Sequence, residues 1–156
     1  MKTPITKQGF QNIERELNKL ITEDREQIKI AIAEARALGD LKENAEYHAA
    51  KEKQGHIEGR IMELQGHIAS AEIIDPTTIN NDKVVFGATV TLVNTETEEE
   101  VTYQLVGQIE ADRKKGKISY LSPIGKSLLG KEEGDIVTVK APKGDIEYEI
   151  ESITYE

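Results

Sequence analysis

The run Asp40-Leu41-Lys42-Glu43 sets two carboxylates three residues apart in a chain that offers little other chemistry. Carboxylate oxygens suit hard cations. Mg²⁺ keeps several of its waters and often takes only one or two protein carboxylates alongside substrate phosphates. Two such groups are too few for a tight site alone, yet they suffice to complete a metal shell in another molecule's active site. In phosphoryl chemistry, one metal of a pair can activate the attacking water while the other stabilises the leaving oxygen. Residues three apart can share a helical face. Charge pairs are also common on exposed helical surfaces, so a merely solvated pair is the competing reading.

The rest of the chain narrows the choice. There is no GxSxG, no phosphate-cradling P-loop, no HExxH and no EF-hand loop, so nothing supports a self-sufficient hydrolase. Cysteine is absent, which excludes disulfides, thiolate metal sites and a cysteine nucleophile. His48, His56 and His67 are scattered along one segment and receive no role. The acidic run Glu96, Glu98, Glu99 and Glu100 reads as a solubilising turn. Acids outnumber bases by 29 to 20, which argues against tracking nucleic-acid phosphates by bulk charge. Five Tyr, two Phe and no Trp make a poor base-stacking platform. No apolar run approaches the ~18–20 residues of a membrane span, so a cytoplasmic chain with no membrane contact is expected.

The elements that must carry the pair follow from periodicity. Phe10, Ile13, Leu17, Leu20/Ile21, Asp24, Ile28, Ala31, Ala35 and Leu38 recur at steps of three and four, a heptad seam with one polar member. Thr6 is a fitting N-cap before Lys7, and Gly39 stands where a helix C-cap would. A second seam runs Tyr47, Ala50, Gln54, Ile57, Ile61, Leu64, Ile68 and Ala71. Two helices with so short a connection lie antiparallel. The seams mirror each other about a point between Lys42 and Glu43. They pair Leu38 with Tyr47, Ala35 with Ala50, Ala31 with Gln54, Ile28 with Ile57, Ile21 with Leu64 and Leu17 with Ile68. The mirror places the tip at residues 39–44, on arms of roughly 45 Å if each has about 30 residues at ~1.5 Å rise. Gly55, Gly59 and Gly66 weaken the second helix by ~1 kcal/mol each.

Residues 1–75 therefore read as a helical hairpin and residues 76–82, opened by Pro76, as a linker. Residues 83–156 read as a small antiparallel sheet with one short helix. Val90 and Leu92 alternate with threonines, and after a polar turn Val101, Tyr103 and Leu105 do the same. Ile118–Leu121 is a further strand. Pro123 and Gly130 bracket a helical turn or two, and residues 136–139 and 146–150 form a last hairpin. The fold class is α+β.

Three stretches carry a family resemblance: Ala31 through Ala50, Ile118 through Gly130, and Val85-Phe86-Gly87-Ala88-Thr89-Val90. The first, with AIAEARALGDLKENAEYHAA, is similar to the signature of the bacterial Gre transcript-cleavage factors, and the likeness runs essentially the whole chain. The hairpin lacks a dense basic cluster, so it resembles the GreA type more than the GreB type. The resemblance implies an N-terminal coiled coil joined to an FKBP-like domain. It implies RNA polymerase as partner, bound at its rim, with the coiled coil inserted through the secondary channel. The family's acidic pair falls on Asp40 and Glu43, which would help hold a second Mg²⁺ shared with the polymerase and so promote cleavage of backtracked RNA near its 3′ end. Arg36 and Lys51 would contact that RNA, with ordinary surface charge as the alternative. Ser122 and Pro123 would dock on the polymerase. The chain would then be an accessory factor and no enzyme itself, monomeric when free. A channel-binding regulator that does not promote cleavage is the other reading of the same scaffold.

Overall fold

The computed structural model describes residues 2–156. They form two compact units. One is Phe10–Ala71; the other joins the described residues up to Gly9 with Glu72–Glu156.

The helical unit is the hairpin that the mirrored seams require. Its first arm is α1 (Lys7–Lys19), a five-residue π turn (Leu20–Asp24) and α2 (Arg25–Ala37); its second is α3 (Ala45–Ser70). The α1 start is capped as its sequence dictates: the Gly9 N–H donates to Thr6 Oγ1 at 3.0 Å. Leu20, Ile28, Ile57, Ile61 and Leu64 form the buried seam, flanked by Ile13, Leu17, Ile21, Ala31, Ile32 and Ala50. Two arginine forks brace the arms. Arg25 Nε and Nη2 donate to both oxygens of Glu58 at 2.8 Å. Arg60 Nε and Nη2 donate to Glu16 at 2.6 and 2.9 Å. Hydrogen bonding from those arginines holds the Glu58 and Glu16 carboxyls below the ordinary glutamate range.

Two expectations change. The first arm is not one uninterrupted α-helix. The π turn falls where the seam carries Asp24, whose carboxylate would otherwise lie in an apolar line. Asp24 instead sits 3.8 Å from Lys19 Nζ. Neighbours on an α-helix are three or four apart, so an ion pair five apart marks the wider turn. The distal seam member Leu38 is also not buried as the seam requires. Leu38 lies beyond the last helical residue and is 67% exposed.

In the other unit, β1 (Thr3–Thr6) pairs with β2 (Ala71–Ile74). The larger sheet orders β5 (Lys117–Ser119), β4 (Glu100–Val106), β3 (Thr89–Asn94), β7 (Gly144–Thr154) and β6 (Ile136–Ala141). β3 pairs antiparallel with β4 and β7, and β6 with β7. One edge departs from the all-antiparallel expectation: β5 runs parallel to β4. Parallel neighbours need a crossover, and residues 107–116 supply one through two 3₁₀ turns. The inward residues Val90, Leu92, Leu105, Ile118, Val137 and Ile150 meet Leu128 of α4 (Pro123–Leu128) in one core. Pro76 opens a 3₁₀ turn and is buried. No helix of the described residues is long and apolar enough to cross a membrane.

Within this unit, which includes residues up to Gly9, one side chain holds the end of β1. The Glu110 carboxylate accepts from the Thr6 N–H at 3.0 Å, from the Gly107 N–H at 2.8 Å and from the Thr6 hydroxyl. Gly9 and Gly107 leave it room. A methyl group at Gly9 would collide with the carboxylate, and one at Gly107 would come 2.7 Å from the Pro4 carbonyl oxygen.

Candidate functional site

The tip of the hairpin is residues 38–44, with no helical hydrogen bonding between Gly39 and Asn44. Its geometry follows from three local devices. Gly39 ends the first arm at φ +104°, a backbone state that only glycine takes without strain. Its N–H returns to the Arg36 carbonyl at 3.2 Å. Asn44 starts the second arm: its side-chain oxygen accepts from the Tyr47 N–H at 3.0 Å, an N-cap. The other end of the same amide donates to the Ala35 carbonyl at 2.6 Å, clasping the two arms.

Between these ends stand Asp40 and Glu43, both exposed. They lie on the loop and not on a helical face, which revises the expectation from their spacing. Asp40 Oδ1 accepts from the Lys42 N–H at 3.1 Å, folding the loop into a tight Asx turn. No other polar group of the described residues is bonded to either carboxylate. The Lys42 carbonyl accepts from His48 Nε2 at 2.9 Å, a contact that side-chain spacing gave no means of seeing.

Of the two basic residues expected beside the pair, Arg36 occupies the last turn of α2, its guanidinium 5.9 Å from the centre of the Tyr47 ring. That stacking fixes the direction of a long side chain at the neck of the loop. Lys51 lies on α3, exposed, with its Nζ donating to Gln54 Oε1 at 3.1 Å. Leu41 is also exposed on the tip.

Exposed carboxylate oxygens, of which only Asp40 Oδ1 has a partner here, are the kind of ligand Mg²⁺ takes from a protein when substrate phosphates and water supply the rest. Among the described residues no three His, Asp or Glu side chains gather at a metal-holding distance. Asp40 and Glu43 could each offer oxygens to a cation, but two carboxylates alone make an incomplete shell.

Ser122 and Pro123 lie far along the chain, in the other unit. Ser122 caps α4, accepting from the Gly125 N–H at 3.1 Å and donating to the Ser119 carbonyl at 2.6 Å. Gly125 is required there, because a side chain would strike the Ser119 carbonyl. Both residues line a groove of about 380 Å³ with Tyr103, Tyr148, Ile124 and Val139. Burial pushes the Tyr148 phenol above its ordinary value. Two of the few aromatic residues thus share one concave surface, which composition alone did not suggest.

Residues 3–73 match the family described as transcription elongation factor, N-terminal, and residues 79–155 match transcription elongation factor, GreA/GreB, C-terminal. The chain is 61% identical over 155 residues to the transcription elongation factor GreA of Thioalkalivibrio sulfidiphilus, covering 99% of this chain and 98% of that protein. It is 56% identical over 155 residues to the GreA of Thermodesulfovibrio yellowstonii, with the same coverage. Among solved structures, GreA factor homolog 1 of Thermus thermophilus matches with 27% identity and a TM-score of 0.45, over 98% of this chain and 99% of that one.

Proposed function

Because the chain belongs to the GreA/GreB family of transcription elongation factors, we propose that it binds RNA polymerase and lends the Asp40 and Glu43 carboxylates to the polymerase active site. The observation that supports this reading is the placement of the pair. Two carboxylates with almost no internal partners sit on the closed end of a long, braced hairpin. Glu43 bonds to no donor among the described residues and Asp40 bonds one N–H through a single oxygen, so oxygens of both stay open to a cation.

The division of labour follows from the parts. The hairpin enters the secondary channel and carries the tip to the RNA 3′ end. Its arginine forks and apolar seam keep the arms from splaying, and the Asn44 clasp keeps the loop closed. A bound Mg²⁺ would supply a Lewis acid and an activated water for hydrolysis of the RNA phosphodiester. Asp40 and Glu43 would be the protein's ligands for it. Arg36, held over Tyr47, and Lys51 offer positive charge to the backtracked RNA, where each phosphate contact adds a salt-sensitive increment of affinity. Ser122 and Pro123, on the rim of the groove, contact the polymerase surface.

The test is transcript cleavage in backtracked elongation complexes, with and without this protein. The parent protein stimulates cleavage. Asp40→Asn and Glu43→Gln keep size and polymerase binding but abolish stimulation. If either variant stimulated cleavage like the parent, the ligand assignment would fall. If the parent bound polymerase and never promoted cleavage, the chain would be a channel-occupying regulator.

A further inference from the structure

We infer that His48 is the positioning residue for the carboxylate pair, acting through the Lys42 carbonyl. This rests on the reading of Asp40 and Glu43 as ligands presented to the polymerase.

Of the three peptide planes between Asp40 and Glu43, two are held by a side chain. One is the Leu41–Lys42 peptide, whose N–H is held by Asp40 Oδ1 at 3.1 Å. The other is the Lys42–Glu43 peptide, whose carbonyl is held by His48 Nε2 at 2.9 Å. A peptide is planar, so fixing that carbonyl fixes the plane from which the Glu43 Cα departs. Asp40 braces its own side of the turn. On the Glu43 side, the bond from His48 is the brace that the described residues provide.

His48 is well placed for this. It lies in the first turn of α3, directly behind the Asn44 cap. Its ring meets Tyr47 edge-on at 5.7 Å, and Tyr47 in turn carries Arg36. A carbonyl oxygen only accepts, so Nε2 must carry the proton. The bond is solvent-exposed and adds little to overall stability. Its effect is on the order of the loop.

Side-chain reach gives the test its specificity. The amide nitrogen of glutamine lies as far from the backbone as His Nε2, whereas that of asparagine lies as near as Nδ1. The side chain introduced by His48→Gln can therefore donate to the Lys42 carbonyl, and the one introduced by His48→Asn falls short. In the free full-length protein, ¹⁵N relaxation at the amides of Leu41, Lys42 and Glu43 should show lost order in His48→Ala and His48→Asn, and order restored in His48→Gln. In cleavage assays with saturating protein, the Mg²⁺ concentration for half-maximal stimulation should rise roughly two- to fivefold in His48→Ala and His48→Asn, the range one exposed hydrogen bond can carry. It should return to the parent value in His48→Gln, with polymerase affinity unchanged throughout. An unshifted Mg²⁺ midpoint and unchanged loop order in His48→Ala would overturn the inference, as would rescue by asparagine equal to that by glutamine. Asp40→Asn run alongside separates the two levels. If it abolishes stimulation while His48→Ala changes nothing, only the role of His48 fails. If it stimulates like the parent, the ligand reading fails and takes this inference with it.

Discussion

Replacing Glu110 by alanine should loosen the start of the first helix. Its carboxylate serves three donors: the Thr6 and Gly107 N–H groups and the Thr6 hydroxyl. Thr6 is buried, so its N–H loses its partner away from bulk water. An unsatisfied buried donor costs about 1–3 kcal/mol. Glu110 is itself half-buried, so water would reach the Gly107 side and the hydroxyl could turn. The expected loss is therefore about 3 kcal/mol, not three full penalties. Glu110→Gln keeps one oxygen for the two backbone donors and should lose about 1 kcal/mol. The same geometry makes Gly9 a second probe. With Glu110 present, Gly9→Ala collides with the carboxylate and destabilises. In the Glu110→Ala background the collision is gone, and alanine should stabilise the helix by up to about 1 kcal/mol. The effect of one substitution thus reverses sign with the other, which a double-mutant cycle in urea unfolding measures. Amide exchange at Thr6, Gly9 and Gly107 reports the site locally in a two-unit protein, where a single unfolding transition cannot be assumed. A loss under about 1 kcal/mol with the Thr6 and Gly107 amides still protected, or no sign reversal at Gly9, would refute the reasoning.

The hairpin yields further expectations. Gly55→Ala, Gly59→Ala and Gly66→Ala should each raise hairpin stability by about 1 kcal/mol, because a methyl group at each meets nothing within 4 Å; thermal unfolding checks this. The lowered Glu16 and Glu58 carboxyls stabilise the fold above the ordinary glutamate pKa, and that contribution is lost as the pH falls through their folded values. The acid limb of a pH–stability curve should accordingly flatten in the double variant Glu16→Gln, Glu58→Gln. Deleting Glu23 removes the surplus residue of the π turn and should leave the helix content of the hairpin intact, as circular dichroism would report. Deleting Lys29 from α2 turns Leu20, Leu17 and Ile13 by about 100° relative to the distal seam and should unfold the hairpin at lower temperature.

What could be read from the sequence were the features that repeat. Steps of three and four placed Ile28 beside Ile57 and Ile21 beside Leu64, and all four are in or against the observed seam. Alternation located β3 and β4, and the bracket of Pro123 and Gly130 located α4. The tip was legible because Gly39 breaks the helix just ahead of the mirror point between Lys42 and Glu43. What escaped was whatever rests on the backbone or on a single residue. A five-residue π turn leaves no period. β1 and β2 have four residues each, too short to show alternation. The parallel pairing of β5 depends on how residues 107–116 cross over, which side-chain pattern does not encode. The spacing of the three histidines says nothing of His48's partner, a backbone carbonyl. Tyr103 and Tyr148 are far apart in the chain and meet on one groove only through the sheet.

The clasp at Glu110 also bears on the order in which the chain can fold as it is made. Thr6 leaves the ribosome 104 residues ahead of the carboxylate that holds it. At roughly 5–20 residues per second, that is a wait on the order of 5–20 seconds. The hairpin, Phe10–Ala71, needs only its own residues and can close early. β3 must wait longer, since Thr89 pairs with Thr154. During this interval β1 has only the four-residue β2 to pair with, and an isolated two-stranded pairing is marginal in water. It is a loose strand preceding a finished hairpin, open to proteases and to the wrong edge. Ribosome-bound chains stalled before residue 110 should therefore show a protease-resistant hairpin with residues 3–6 still cleavable, and equal protection of both would contradict this order.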